Sequence, residues 1–119
     1  ENFGQSTVIS LLEAQEFIKN TDIIASGGIR HPLDIVKALA LGAKAVGVAG
    51  VFLNMVLNDG VEKTIENINN WKIEIASIMT ILGKSKVSEL VNTDMVLFNE
   101  VREWCLVRRI DINKRHLVL

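Results

Sequence analysis

At 119 residues, 49% of them apolar, the chain has the length and composition of one core-bearing domain, which excludes a disordered or low-complexity protein. Its formal net charge is −1 and its acidic and basic residues are interspersed, so there is no electrostatic footprint for a polyanion and nucleic acid is excluded as a partner. The single cysteine, Cys105, cannot close an internal disulfide and fits a reducing, cytoplasmic setting.

The amino end, Glu1-Asn2-Phe3-Gly4-Gln5, carries no signal-peptide pattern and no initiating methionine, so the natural protein is expected to continue upstream. From Thr7 to Asn20, Val8, Leu11, Leu12, Phe17 and Ile18 fall largely on one helical face while Glu13, Glu16 and Lys19 fall elsewhere. Ser6 or Thr7 can cap that helix, because a hydroxyl accepts one of the orphan N–H groups of the first turn.

Ile23 to Ser26 shows no polar alternation, the pattern of a strand covered on both faces. It empties into Gly27-Gly28-Ile29-Arg30-His31. Pro32 then suits the first turn of a helix and Asp34 is favoured there by the helix dipole. This helix runs through Ile35, Val36, Ala38, Leu39 and Leu41 to Gly42. A second apolar strand, Lys44 to Val48, leads into Ala49-Gly50. Strand, helix and strand in this order form the right-handed unit that joins parallel neighbours, and both strands are expected to be buried on two faces.

Val51 to Leu57 reads as a short apolar helix stopped by Asn58-Asp59-Gly60. A long amphipathic helix follows to about Leu82, with Ile65, Ile68, Ile75, Ile78, Met79 and Leu82 inward. The tail reads as a short helix at Ser85 to Val91, an extended Met95 to Phe98 and a last helix carrying Trp104. No membrane span is expected, because Leu33 to Leu57, the most apolar region, is broken by Asp34, Lys37, Lys44 and Asn54 before the ~20 apolar residues a bilayer requires.

Two good strands, or three with the extended stretch of the tail, among about six helices is an odd ratio for a self-contained α/β domain. The expected fold is therefore α/β, the carboxyl-terminal portion of a TIM (β/α)8 barrel, whose usual size of ~250 residues is about twice this chain. Residues 1–119 would be part of one barrel domain, holding about its last two strands, with 84–119 as a carboxyl-terminal helical extension.

In such barrels a phosphate commonly sits between the loops after the last two strands, at the amino end of a short extra helix. Here those parts are the Gly27 to His31 loop, Ala49-Gly50, and the helix from Val51. Glycines let amides approach phosphate oxygens, the helix end adds a positive dipole and Arg30 adds a charged fork. The plainer alternative makes Gly27-Gly28 a tight turn and Arg30 a solvated charge; two glycine loops after consecutive apolar strands favour the phosphate site.

Ile24-Ala25-Ser26-Gly27-Gly28-Ile29-Arg30, then Asp34, then Lys37 to Ala43, resembles the cofactor-phosphate region of FMN-dependent barrel enzymes, including hydroxy-acid oxidases and glutamate synthase. Phe3 to Thr7, Leu11-Leu12-Glu13, Ala49-Gly50 with Phe52-Leu53, Met79 to Gly83, Glu89-Leu90, and Glu103-Trp104 with Arg108 to Asp111 bring it closer to type 2 isopentenyl-diphosphate isomerases. The resemblance covers essentially the whole chain. It departs at Arg109, where that family usually has glycine, and at Phe3, where tryptophan is frequent.

The resemblance implies that Gly28, Ile29, Arg30, Ala49 and Gly50 bind the FMN phosphate and that Gly27 shapes the loop, with no catalytic residue in this chain. It also implies a homo-oligomer and an isoprenoid diphosphate substrate, isomerised by the reduced flavin. Mg2+ would hold the diphosphate and NADPH would supply the reduction, both through residues upstream of this chain, which alone is not expected to turn over. The rivals are an FMN-dependent 2-hydroxy-acid oxidase or dehydrogenase, and a non-catalytic α/β fragment.

Other residues read as structural. His31 is an exposed helix-entry residue, Lys114-Arg115-His116 a solvated end, Cys105 a buried small hydrophobe, and Trp71 and Trp104 packing residues. No metal site is expected, since the histidines are far apart and the acids lack ligand spacing.

Overall fold

The computed structural model describes residues 4–111 and the backbone of 117–118; Phe3 and Lys114-Arg115-His116 lie outside the described residues. Helix α1 spans Thr7–Phe17, and Ser6 caps it by accepting the Ile9 N–H at 3.3 Å. It ends sooner than the expected Asn20 because Ile18 is already extended. Ile9, Leu11 and Leu12 are its buried residues, whereas Phe17 and Ile18 are exposed, so the inward stripe occupies the first two turns rather than the whole helix.

Strand β1 (Ile24–Ser26) and strand β2 (Ala45–Gly47) pair in parallel, with Ala25 opposite Val46 and Ser26 opposite Gly47. Between them runs α2 (Pro32–Ala40), the expected strand–helix–strand unit. The expectation that both strands are buried on two faces is corrected: Ala25 and Val46 belong to a core built with α1, but Ile24 is 67% exposed and Ser26 and Ala45 are also exposed. Side chains alternate across a strand, so one face of this two-stranded sheet lies on helices and the other is open. No further strand extends this sheet among the described residues.

Helix α3 (Gly50–Asp59) and helix α4 (Val61–Ile81) meet at Gly60, and the Phe52 and Trp71 rings pack across them in a tilted pair, centroids 4.9 Å apart at 53°. Met79, Ile75 and Ile78 of α4 pack with Val36 and Leu39 of α2 around Leu90 of a 3₁₀ helix, Val87–Asn92. Ile65 and Leu82, expected inward, are exposed; the α4 contacts with α2 gather at its carboxyl half and leave Ile65 outside them. The tail continues with β3 (Met95–Val96), α5 (Asn99–Arg108) and β4 (Leu117–Val118). β3 and β4 pair in parallel, so the stretch after residue 84 is not purely helical.

One acid joins the two ends of the chain. Glu13 on α1 accepts the Trp104 indole N–H at 2.9 Å and the Arg108 Nε–H at 2.7 Å. Trp104 is thus a hydrogen-bonded anchor as well as a packing residue. The Trp104 bond first, and then Arg108, hold the Glu13 carboxyl below its ordinary range against the opposing effect of burial. A carboxylate with a depressed folded pKa stabilises fully above its unfolded value, and that stabilisation is lost as pH falls through the folded value. Glu13→Gln should therefore flatten the fall in urea midpoint between about pH 5 and about pH 3. An unchanged acid limb would mean that Glu13 does not link α1 to α5 in solution.

Candidate functional site

Because Ser26 and Gly47 are parallel neighbours, the loops that follow them leave the same end of the sheet, and α2 and α3 begin there. Two helix amino termini on one edge offer two places for an anion, and the local sequence closes one of them. The Asp34 carboxylate accepts the backbone N–H groups of Arg30 and His31, each at 3.0 Å, and seals the start of α2. His31 is the exposed residue that caps α2, as its position in the sequence suggests.

The start of α3 is open. Ala49 is its N-cap and supplies no side-chain bond, so the first-turn amides, beginning at Gly50, project without a cap. A Cβ placed on Gly50 would meet nothing within 4 Å, and the same holds at Gly28. The N–H groups of Gly28 and Ile29 have no protein acceptor among the described residues. Arg30 is exposed and its guanidinium enters no ion pair among them.

The six residues singled out in the sequence therefore divide by function. Among the described residues, Gly28 and Ile29 present free amides, Gly50 opens an uncapped helix next to Ala49, and the Arg30 side chain has no partner. The Arg30 amide is spent on Asp34, so that residue can meet an anion through its guanidinium alone. Gly27 has φ +99° and Gly28 φ +70°, left-handed conformations that favour glycine. Free N–H groups, a helix dipole end and a guanidinium are the kinds of group that can meet an anion, and open space stands where a Cβ would lie on Gly28 and on Gly50.

A cleft of about 520 Å3 between α1 and α2, lined by Thr7, Leu11, Gly27, Gly28, Ile29 and Lys37, touches only part of this set. Its lining does not include Arg30, Ala49 or Gly50.

Cys105 is 1% exposed and burial pushes its thiol up, which makes it an inert core residue. No group of three His, Cys, Asp or Glu residues that could hold a metal occurs among the described residues. None of their helices is long and apolar enough to cross a membrane.

Two contributors escaped the sequence. Asp34 was legible as a favourable first-turn acid, but not as the group that seals α2; its spacing of three from His31, a capping-box separation, was the available signal. Thr7 donates its hydroxyl to the Gly27 carbonyl, 20 residues away, and nothing local announces that bond.

Residues 2–97 match the family model of FMN-dependent dehydrogenases. The chain is 46% identical over 118 residues to an isopentenyl-diphosphate delta-isomerase of Latilactobacillus sakei subsp. sakei, covering 99% of this chain and 32% of that protein. It is 42% identical over 112 residues to one of Streptomyces sp. (strain CL190), covering 94% and 30% respectively. A Staphylococcus haemolyticus protein of the same name is 45% identical over 113 residues, 95% of this chain and 32% of its own length. The chain thus spans about a third of the length of these curated relatives. The resemblance read from the glycine loops and the tail residues is borne out.

Proposed function

This chain belongs to the family of FMN-dependent dehydrogenases, and from that premise we propose that it is the carboxyl-terminal part of a barrel isomerase interconverting isopentenyl diphosphate and dimethylallyl diphosphate. Its own contribution is the seat of the FMN phosphate. The observation that carries this reading is the pairing, at one end of a parallel strand pair, of two open glycines with an uncapped α3 while α2 is sealed. The uncovered face of β1 and β2, opposite the helices and with Ile24 67% exposed, is the one further barrel strands would enclose, which supports completion by them.

When bound, FMN would supply the redox and proton chemistry of its ring. This chain's residues would hold its phosphate: Gly28 and Ile29 through their amides, the first turn of α3 after Ala49 through its amides and dipole, and Arg30 through its guanidinium. Gly27 would keep the loop in shape. Magnesium, NADPH, a homo-oligomeric assembly and a cytoplasmic location complete the proposal on the strength of the family resemblance. Residues outside this chain would then bind the metal and the isoprenoid diphosphate. A hydroxy-acid oxidase would need a catalytic histidine in these loops; the one present, His31, is the cap of α2.

The full-length protein should purify yellow, convert isopentenyl diphosphate, and bind FMN far more tightly than riboflavin, which lacks the phosphate. A colourless protein that does not distinguish the two flavins would overturn the reading. Arg30→Ala should weaken FMN binding by about 10- to 100-fold, the worth of a charged hydrogen-bond set, and leave riboflavin binding nearly unchanged. Isothermal titration with both flavins measures this, and equal FMN affinity in the variant would remove Arg30 from the site.

A further inference from the structure

We infer that Thr7 is a positioning residue for the phosphate loop, acting through the peptide unit between Gly27 and Gly28; this rests on the FMN reading above. Thr7 is the first residue of α1, yet its hydroxyl is free of capping duty because Ser6 does that work. The Thr7 hydroxyl instead donates to the Gly27 carbonyl at 2.8 Å, with the Ser26 carbonyl a weaker second acceptor at 3.3 Å.

The Gly27 carbonyl and the Gly28 N–H belong to one planar trans peptide, so they point in opposite directions. Drawing that carbonyl towards α1 aims the Gly28 N–H away from α1. It also polarises the peptide, which strengthens the N–H as a donor. The fit on the α1 side is close, since a Cβ on Gly27 would lie 3.3 Å from the Thr7 hydroxyl oxygen. At Gly28 the corresponding space is open. Adjacent glycines thus do different work: Gly27 turns its carbonyl to the scaffold and Gly28 leaves its amide for the ligand.

Without the Thr7 hydroxyl, the left-handed pair is free to rotate its shared peptide, and the aimed amide is lost for part of the time. The effect falls on phosphate binding, because riboflavin offers the loop no anion.

The test is flavin titration of the full-length protein with FMN and riboflavin in parallel, on wild type, Thr7→Val and Thr7→Ser. Thr7→Val keeps the side-chain shape without the donor and should lower FMN affinity by about five- to tenfold, with riboflavin unchanged. Thr7→Ser restores the hydroxyl and should return FMN affinity to within about twofold. If Thr7→Val does not fold, Thr7→Ala, which suits a helix, takes its place in the same titration. Wild type that binds both flavins equally would overturn the phosphate site itself. Wild type that prefers FMN, with the same preference in the valine variant, would overturn the role of Thr7 alone. Equal losses for both flavins would also overturn it, by showing a structural effect only.

Discussion

Gly50→Asp is expected to abolish FMN retention while leaving the fold as stable as before or slightly more so. Gly50 is the first residue of α3, and the space its Cβ would enter is empty, so the larger side chain meets no clash. A carboxylate in an uncapped first turn interacts favourably with the helix dipole, by about 0.3–1 kcal/mol. The same carboxylate would stand where the phosphate must sit. Two unit charges about 4 Å apart repel by about 4 kcal/mol at an effective dielectric constant of about 20, and even half of that exceeds a tenfold loss. Because the phosphate also loses the α3 dipole, the combined loss should exceed about 100-fold. Flavin absorbance after gel filtration reads the binding and a urea titration reads the stability. Full flavin content in Gly50→Asp would move the phosphate away from α3.

Gly50→Ala separates charge from bulk. Its methyl group enters the same open space without a charge, so FMN affinity should fall by much less than in the aspartate variant. Equal losses would mean that filling the approach, rather than repelling the anion, is what matters at this position.

Much of this site is legible from local order. Ile24 to Arg30 followed by Pro32, and Ala45 to Gly50 followed by an apolar helix, are contiguous patterns, and parallel pairing brings their ends together without further information. What escaped depends on partners distant in sequence. The bonds from Glu13 to Trp104 and Arg108 span 91 and 95 residues, and each residue alone reads as a surface acid, a packing aromatic and a solvated base. The fate of the Arg30 amide also escaped: the resemblance implies that Arg30 binds the phosphate, and nothing in the loop's own sequence says that Asp34 takes the amides of Arg30 and His31 for α2.

Burial was legible only as a pattern. An unbroken apolar run in β1 and β2 specifies strands meant to be covered on both faces, while the described residues cover one. Ile24 is exposed because no described element lies over it, not because the pattern was misread as strand. The exposed Phe17 is a different case. It is the last residue of α1, beyond the turns that bury Ile9, Leu11 and Leu12, and only Ile18, already extended, lies past the helix.

Leu90→Ala should produce the opposite result to Gly50→Asp: a large loss of stability with flavin binding retained below the unfolding transition. Leu90 is fully buried in the 3₁₀ helix and contacts a cluster of Val36, Leu39 and Met79. It joins α2, α4 and the tail, so its truncation leaves a cavity walled by three elements that cannot all close in. Such Leu-to-Ala changes cost about 2–5 kcal/mol, from lost transfer energy and from the cavity. Leu90→Met keeps the volume and should cost less than about 1.5 kcal/mol. None of the three bonds that shape the loop, from Thr7 to Gly27 and from Arg30 and His31 to Asp34, involves this cluster. FMN affinity measured well below the midpoint should therefore stay within a few-fold of wild type, while the urea midpoint drops. If Leu90→Ala instead lost flavin at full foldedness, the packing of α2 on α4 would itself be part of what holds the phosphate loop, and the site would extend through α2 into the core.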